Sequence, residues 1–239
     1  MNYLGQDRSD IANTVKELSK DMCNPTECSM QKIKRLGRYL KNQPRFVLQF
    51  KYQEGCENIT VWTDTDFAGC VKTRRSTSGG VVQLGSHTIR TWSTHQSVIA
   101  LSSGEAEYYG MVKGSSVGLG IRALMKDLGW EYPKSIEVKT DASAAIGIAN
   151  RIGVGKVRHI EVNQLWLQSK VLSKDLVITK VDGGLNIADA LTKAVDATKL
   201  RAHIVGVGAI VKEDRHALAP REEGQDDRST SVEEYRGQY

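Results

Sequence analysis

The chain has 239 residues, of which 40% are hydrophobic and 26% are charged, and this composition is typical of a globular protein with one sizeable core and an accessory segment. The longest apolar run, residues 204–211, is too short to span a bilayer, and the N-terminal residues lack the pattern of a secretory signal. The four cysteines form no C-x-x-C pair, the commonest zinc spacing, and this favours free thiols in a reducing compartment.

Basic residues cluster in one stretch near the N-terminus, although the net charge is only +5. The stretch QKIKRLGRYLKNQPR, residues 31–45, contains no acidic residue, and Ile33, Leu36 and Leu40 recur at helical spacing. This pattern predicts an amphipathic basic helix that could lie along phosphates. A solvated helix face without any ligand explains the same spacing equally well.

The first half of the chain is predicted to begin with helices and to continue with strands. Residues 1–50 are predicted to be helical, with Ser9 or Asp10 as a cap and a turn at 24–26. The strand ITVWTDTDFAG follows, then a basic link, KTRRSTS, and then GGVVQLGSHTIRTWS, which has the pattern of a hairpin that turns near Gly85-Ser86.

The second half alternates helices with strands. The segment LSSGEAEYYG opens a long helix, because Ser102 and Glu105 match a capping box, and Gly129 suits the residue after its C-terminus. The elements that follow are the strand IEVKT, the helices ASAAIGIAN and EVNQLWLQSKVLS, the strand DLVITKV and the helix NIADALTKAVDATKLRAHI. This order predicts an α/β domain with a mixed sheet and flanking helices. From residue 212 onward the polar, charged composition predicts disorder.

Two aspartates interrupt the strand VWTDTDFAGC. Because strand side chains alternate, Asp64 and Asp66 share one face, where an unpaired buried carboxylate is costly. Three explanations remain open: a solvated sheet edge, salt bridges to basic neighbours, or a cation site. On the long helix, Glu107 shares a face with small and apolar residues suited to packing on a sheet, while Glu105 points elsewhere. A rim glutamate paired with a lysine is the alternative for Glu107.

Two further aspartates have structural explanations when they are taken singly. Asp141 could cap the helix after IEVKT, and Asp189 could favour the dipole of the last helix. If the fourth strand lies beside the first, however, Asp64 and Asp141 become neighbours. Clustered carboxylates in a low dielectric repel each other unless cations lie between them. Two Mg²⁺ or Mn²⁺ ions held this way could activate a water and stabilise a leaving oxygen.

The motifs TDTDFAG, RRSTSGGVVQLG, ALSSGEAEYYG, KTDASAA and ADALTK together resemble the D-E-D-D pattern of ribonuclease H, and more narrowly the ribonuclease H region of a Ty1/copia-type retrotransposon Pol polyprotein. The resemblance covers about residues 56–195. Upstream, YLGQDRSDIANTVKELSKDM and KRLGRYLK resemble the end of the reverse transcriptase and its connection segment. The resemblance, the predicted elements and the composition of the tail together predict a helical segment over 1–55, a ribonuclease H-like domain over 56–211 and a disordered tail over 212–239. No Y-x-D-D polymerase motif or integrase segment occurs, so we expect a C-terminal piece of a larger polyprotein, or a derivative of one.

The resemblance also assigns site residues. It implies that the catalytic metal ligands are Asp64, Glu107, Asp141 and Asp189, with two Mg²⁺ or Mn²⁺ ions as cofactors. Asp66 and His159 match positions common in copia-type sequences, where we expect accessory roles, and His159 is a helix-start residue, a substrate contact or a catalytic group. The loop VDGGLNIAD lacks the histidine that many relatives carry before the last aspartate, so proton transfer or product release would be differently assisted.

The activity implied is cleavage of the RNA strand of an RNA–DNA hybrid, leaving a 3′-hydroxyl and a 5′-phosphate. Expected partners are the hybrid and the reverse transcriptase polymerase domain of the same polyprotein, without a membrane. We expect an intracellular location, in cytoplasmic virus-like particles or the nucleus. Two alternatives are a catalytically silent nucleic-acid-binding or scaffold remnant and a DNA nuclease or strand-transfer enzyme. The residues expected to contact phosphates are Lys72, Arg74, Arg75, Lys34 and Arg38.

Overall fold

A computed structural model describes residues 2–55, 58–130, 135–153, 155, 159–160, 164–214 and 216. Within these ranges the helices are α1 Asn2–Asp7, α2 Ser9–Ser19, α3 Glu27–Asn42, α4 Ser103–Asp127, α5 Ser143–Ala149, α6 Trp166–Leu172 and α7 Ala197–Gly206. The strands are β1 Arg45–Leu48, β2 Ile59–Asp66, β3 Thr77–Leu84, β4 His87–His95, β5 Ile136–Thr140, β6 Leu176–Lys180 and β7 Ala209–Lys212. None of the described helices has the length and hydropathy needed to cross a bilayer.

The main sheet has five strands in the order β4-β3-β2-β5-β6. The hairpin strands β3 and β4 pair antiparallel, as do β2 and β3, whereas β5 pairs parallel with both β2 and β6. The parallel pairing places β2 directly beside β5. This is the strand order that the predicted proximity of Asp64 and Asp141 requires. The predicted mixed sheet with flanking helices is therefore confirmed.

Helix α4 packs closely on β2 because the residues that face the strand are glycines. A Cβ atom at Gly114 would lie 2.5 Å from Thr63 Cγ2, and one at Gly118 would lie 2.8 Å from Val61 Cγ2. Real Cβ atoms do not approach other atoms this closely, so both positions need glycine if the helix is to keep its distance. The largest core cluster fills the space around this contact, with Ile59, Val61, Met111, Ile136 and Val138 all less than 1% exposed.

The N-terminal helices pack on the same unit through a buried polar network. Arg8 pairs with Asp10 at 2.7 Å, and the Tyr39 hydroxyl donates to the same carboxylate. Ser9 contacts His203 of α7 at 2.9 Å. The expectation that Ser9 or Asp10 caps a helix is wrong, because α2 begins at Ser9 and both side chains bind these partners instead.

Three other expectations about secondary structure need correction. Residues 45–48 form β1 instead of helix, and this strand pairs antiparallel with the unpredicted β7. The single helix expected over 186–204 is divided into a 3₁₀ turn, Asp189–Leu191, and α7, because the Asp196 side chain accepts from Lys199 N and caps a new helix. Asp141 does not cap α5, whose N-cap is Ala142 and makes no side-chain capping bond.

Several smaller predictions have definite outcomes. Ser102 caps α4, but the Glu105 carboxylate accepts from Leu101 N instead of completing a capping box. Gly129 adopts a φ of 85°, which confirms its place after the helix. Cys23, Cys28 and Cys70 are free thiols, whereas Cys56 lies outside the described residues. Residues 215 and 217–239, most of the expected disordered tail, also lie outside them.

We predict that Gly114→Ala lowers the free energy of unfolding by about 1–3 kcal/mol, since the added methyl group would force α4 away from β2. The matched control is Gly120→Ala on the same helix, where nothing lies within 4 Å of the new Cβ, and it should stabilise the chain by about 0.5–1 kcal/mol. Urea denaturation of both variants checks this. Equal effects of the two substitutions would contradict the close-packing account.

Candidate active site

Three of the four predicted carboxylates converge at the end of the sheet. Asp64 lies near the end of β2, Glu107 lies in the second turn of α4, and Asp141 directly follows β5. One carboxylate oxygen from each lies within 4.8 Å of the other two. Strand β2 holds Asp64 in place, since it pairs with β3 at Asp64 itself and with β5 as far as Trp62, and the close contact of α4 brings Glu107 to it. The arrangement offers three oxygen ligands from three different elements.

The acidic cluster is electrostatically unfavourable without a cation. Burial raises the pKa of Asp64 to about 6, and nearby Asp189 and Asp141 add to the effect, while the Thr192 hydroxyl opposes it. Burial, followed by repulsion from Asp64 and Asp141, raises the pKa of Glu107 to about 9. Glu107 Oε2 is buried, and no donor among the described residues reaches it. A group of oxygen donors with an unsatisfied buried oxygen fits a divalent cation such as Mg²⁺ or Mn²⁺.

Asp189 lies beside this cluster, but its carboxylate is paired with lysine side chains. Its carboxylate forms ion pairs with Lys193 and, at 3.0 Å, with Lys199. The Thr192 hydroxyl donates to Asp64 Oδ2 and also lies 3.0 Å from the Asp189 carbonyl oxygen. The 3₁₀ turn that carries Asp189 is therefore fastened directly to Asp64. Within the described residues, the group of three that could hold a metal does not include Asp189.

The loop before Asp189 also borders the cluster. A Cβ atom at Gly183 would lie 2.9 Å from Asp141 Oδ2, so the backbone of this loop is next to the carboxylate. Asn186 anchors the loop by donating from Nδ2 to Thr63 O at 2.9 Å. This is the loop in which the sequence lacks the expected histidine, and it presents backbone to the site.

Asp66 is only half buried at the end of β2. A Cβ atom at Gly69 would lie only 1.8 Å from Asp66 Oδ2. The turn that follows β2 therefore needs glycine at position 69. Burial raises the pKa of Asp66, while Lys193 and Lys16 oppose the rise. Lys16 of α2 is largely buried and donates to the Thr77 hydroxyl at 2.7 Å, opposite Asp66 in the β2–β3 register. Asp66 thus lies between the acidic cluster and the N-terminal helices.

Sequence reasoning missed the environment of Glu105. This residue points away from Glu107, as expected, yet it is only 1% exposed. Its carboxylate accepts from His159 Nε2 at 2.7 Å, from the Tyr109 hydroxyl at 2.8 Å and from Leu101 N at 3.0 Å. Burial opposes ionisation of Glu105, but these three donors outweigh it and lower the pKa. His159 is 54 residues away in sequence, and no local pattern links the two.

The basic residues predicted to contact phosphates are exposed. Lys72, Arg74 and Arg75 lie in the turn after β2, where Lys72 pairs with Asp21 at 3.1 Å. Lys34 and Arg38 lie on α3 and, together with Lys41, line a shallow groove. Neither group belongs to the acidic cluster.

Comparison with known proteins identifies the relatives of the chain, although no family model matches it. The retrovirus-related Pol polyprotein of transposon RE1 from Arabidopsis thaliana is 30% identical over 209 residues, which is 87% of this chain and 14% of the relative. That of transposon TNT 1-94 from Nicotiana tabacum is 28% identical over 193 residues, 80% of this chain and 14% of the relative. The chain is a homologue of transposon Pol polyproteins. The copia-type resemblance is thereby confirmed.

The homologous chain spans about one seventh of the length of these Pol polyproteins and has the mixed five-stranded sheet expected of a ribonuclease H-like fold. Among solved structures, LC11-RNase H1 in complex with an RNA/DNA hybrid is 17% identical, with a TM-score of 0.40, over 56% of this chain and 94% of that one. RNase H1 from Halobacterium salinarum is 18% identical, with a TM-score of 0.39, over 56% of this chain and 94% of that one.

We predict that the metal-free Pol homologue loses stability as pH rises. The folded pKa of Glu107, about 9, exceeds its ordinary value of 4.5, so between these values the folded state keeps a proton that the unfolded state has lost. Its thermal midpoint in EDTA should therefore fall by several degrees between pH 6 and pH 8.5. Glu107→Gln should remove most of this fall, whereas Glu54→Gln, at an exposed position, should leave it unchanged. If the thermal midpoint of Glu107→Gln fell with pH as much as that of the parent chain, the claim that burial and repulsion raise the pKa of Glu107 would be wrong.

Proposed function

We propose that this chain is a metal-dependent endonuclease that cleaves the RNA strand of RNA–DNA hybrids as part of a copia-type retrotransposon Pol polyprotein. The observation that carries the proposal is the convergence of Asp64, Glu107 and Asp141, with a buried Glu107 oxygen to which no described residue donates. Such a site suits a metal-dependent phosphodiester nuclease, because two divalent ions held there would activate a water and stabilise the leaving oxygen. The fold and the Pol homologues support a ribonuclease H-like nuclease role.

In this proposal the residues of the chain have distinct tasks. Asp64, Glu107 and Asp141 would hold the cations, and Asp189 would join them when substrate phosphate competes for Lys193 and Lys199. Thr192 holds Asp64 in place through its hydroxyl group. Asp66 stays an accessory carboxylate at the edge of the site. His159 touches Glu105 and not the acidic cluster, so we assign it a structural or substrate-contact role instead of proton transfer.

The proposed substrate and partners follow from charge and homology. The exposed basic residues Lys72, Arg74, Arg75, Lys34 and Arg38 would contact phosphates. Residues 1–55 would be the end of the polymerase-connection segment, held to a nuclease domain over 56–211 partly by the Ser9–His203 contact. The polymerase domain of the polyprotein would be the partner, and virus-like particles or the nucleus the location.

We predict that Asp64→Asn lowers the rate of hybrid cleavage by about 100-fold or more, because the site loses a rigid charged ligand. Hybrid affinity should stay within about threefold, since binding rests mainly on phosphate contacts. The assay is cleavage of a labelled RNA–DNA hybrid in Mg²⁺ or Mn²⁺. Asp127→Asn, at the exposed end of α4, is the control and should cleave like the parent chain.

Three results would separate the alternatives. Cleavage by Asp64→Asn at the parent rate would refute the site assignment. Hybrid binding without any cleavage by the parent chain would favour the silent remnant. Cleavage of duplex DNA in place of the hybrid would favour a DNA nuclease of the same superfamily.

We predict that Lys34→Ala and Arg38→Ala each make the salt dependence of hybrid binding shallower by about one unit in the slope of log affinity against log salt. Each substitution removes one cation that faces a phosphate, so affinity should fall for every sequence alike. Lys126→Ala on α4 is the control and should keep the parent slope. An unchanged slope in both α3 variants would show that the basic helix is only a solvated face.

A further inference from the structure

A large cavity lies on the other side of α4 from Glu107. It has a volume of about 770 Å³, within the range of small-molecule sites. Its walls are the end of β4 with the loop that follows, one face of α4, and part of the segment before α6. The residues that matter for the argument are Lys113, Gln96, His159, Tyr109, Trp166 and Val117. None of the proposed metal ligands lines it.

The wall of the cavity carries a cation, Lys113, that pairs with no carboxylate among the described residues. Lys113 is half buried, and its ammonium donates to the Thr94 hydroxyl. Burial, with a smaller contribution from Arg90, lowers its pKa, and no carboxylate among the described residues offsets this. His159 adds a second nitrogen base to the wall, and its Glu105 partner is already satisfied by three donors. An anion would therefore gain a charged hydrogen bond from Lys113.

The cavity also has a buried hydrogen-bond acceptor, Gln96 Oε1, to which none of the described residues donates. Gln96 is 8% exposed, and its Nε2 donates to Ser78 Oγ at 2.9 Å and to Ala106 O at 2.8 Å. These two bonds fix the amide, and Gln96 Oε1 is buried with no donor in reach in the part of the chain that the structure describes. A ligand that offers an N–H group at this point would satisfy it.

The remaining wall is aromatic and apolar. Tyr109 and Trp166 are both half buried, and Val112 and Val117 of α4 lie beside them. Flat rings can stack on such a wall. A ligand that matches all three parts of the cavity has an anionic end, an N–H donor and a flat apolar body. A phosphorylated nucleoside has these three features.

We propose that the cavity between α4 and β4 binds a phosphorylated nucleoside, with its phosphate at Lys113, its base against Tyr109 and Trp166, and a base N–H donated to Gln96. The ligand is either a free nucleotide or one nucleotide unit of a strand. In the second case the cavity extends the substrate contacts of the proposed nuclease and rests on that function. Binding of the free nucleotide does not depend on it.

The first test is calorimetric titration of the full chain with AMP in EDTA, so that the acidic cluster holds no cation. Adenosine and inorganic phosphate are titrated separately. We expect AMP to bind at least about 10-fold more tightly than either half, because only AMP fills both ends of the cavity. Absence of AMP binding would overturn the proposal even if the chain cleaves hybrids.

Two variants locate the binding. Lys113→Met should weaken AMP binding about 10-fold, as expected for loss of one charged hydrogen bond, and leave adenosine unaffected. Val117→Trp should fill the cavity and abolish binding of both. Lys126→Met, an exposed lysine on the same helix, is the control for Lys113→Met, and thermal denaturation checks that each variant folds. Equal AMP affinity in Lys113→Met and the parent chain would refute the assignment.

A second titration identifies the source of the nucleotide. A blunt RNA–DNA hybrid is compared with one that carries a single-stranded overhang. Tighter binding of the overhang, lost in Lys113→Met but kept in Lys126→Met, supports a strand nucleotide. AMP binding without any gain from the overhang supports a free nucleotide.

Discussion

The close approach of α4 to β2 is the constraint on which the candidate site depends. Gly110, Gly114 and Gly118 face the strand, and at each of them a Cβ atom would lie 2.8 Å or less from a side-chain atom of β2. A helix with larger residues there would stand farther from the sheet and carry Glu107 away from Asp64. The same contact helps to bury Asp64 and Glu107, and burial is the main cause of their raised pKa values, so packing and the electrostatics of the site have one origin.

That proximity makes the carboxylates costly in the absence of a cation. Burial and mutual repulsion raise the pKa of Asp64 and of Glu107, and Thr192 compensates only part of this with one hydrogen bond. Nearby lysines neutralise Asp189 and leave the other three facing one another. A site that is destabilised when empty and relieved by a cation is well suited to binding one, since the binding energy then includes relief of the repulsion.

The sequence predicted what local patterns determine and missed what long-range contacts determine. Alternation identified β2 and its two aspartates, and a stripe of small residues oriented Glu107 correctly on α4. The meeting of Asp64 with Asp141 followed only from a conditional guess about strand order, which the β2–β5 pairing bears out. The β1–β7 pair and the Glu105–His159 contact join distant segments, so no periodicity could reveal them. The break in the last helix arises where Thr192 turns back to Asp64.

The central claim is that Asp64, Glu107 and Asp141 form a divalent-cation site, and calorimetric titration of the metal-free chain with Mn²⁺ tests it most directly. The account predicts saturable binding that releases protons to the buffer near pH 7.5, because Glu107 must lose its proton before its carboxylate can bind the metal. Glu107→Gln should weaken the binding and remove most of the proton release, while Glu54→Gln should change neither. Absence of saturable binding, or equal binding in Glu107→Gln, would contradict the claim.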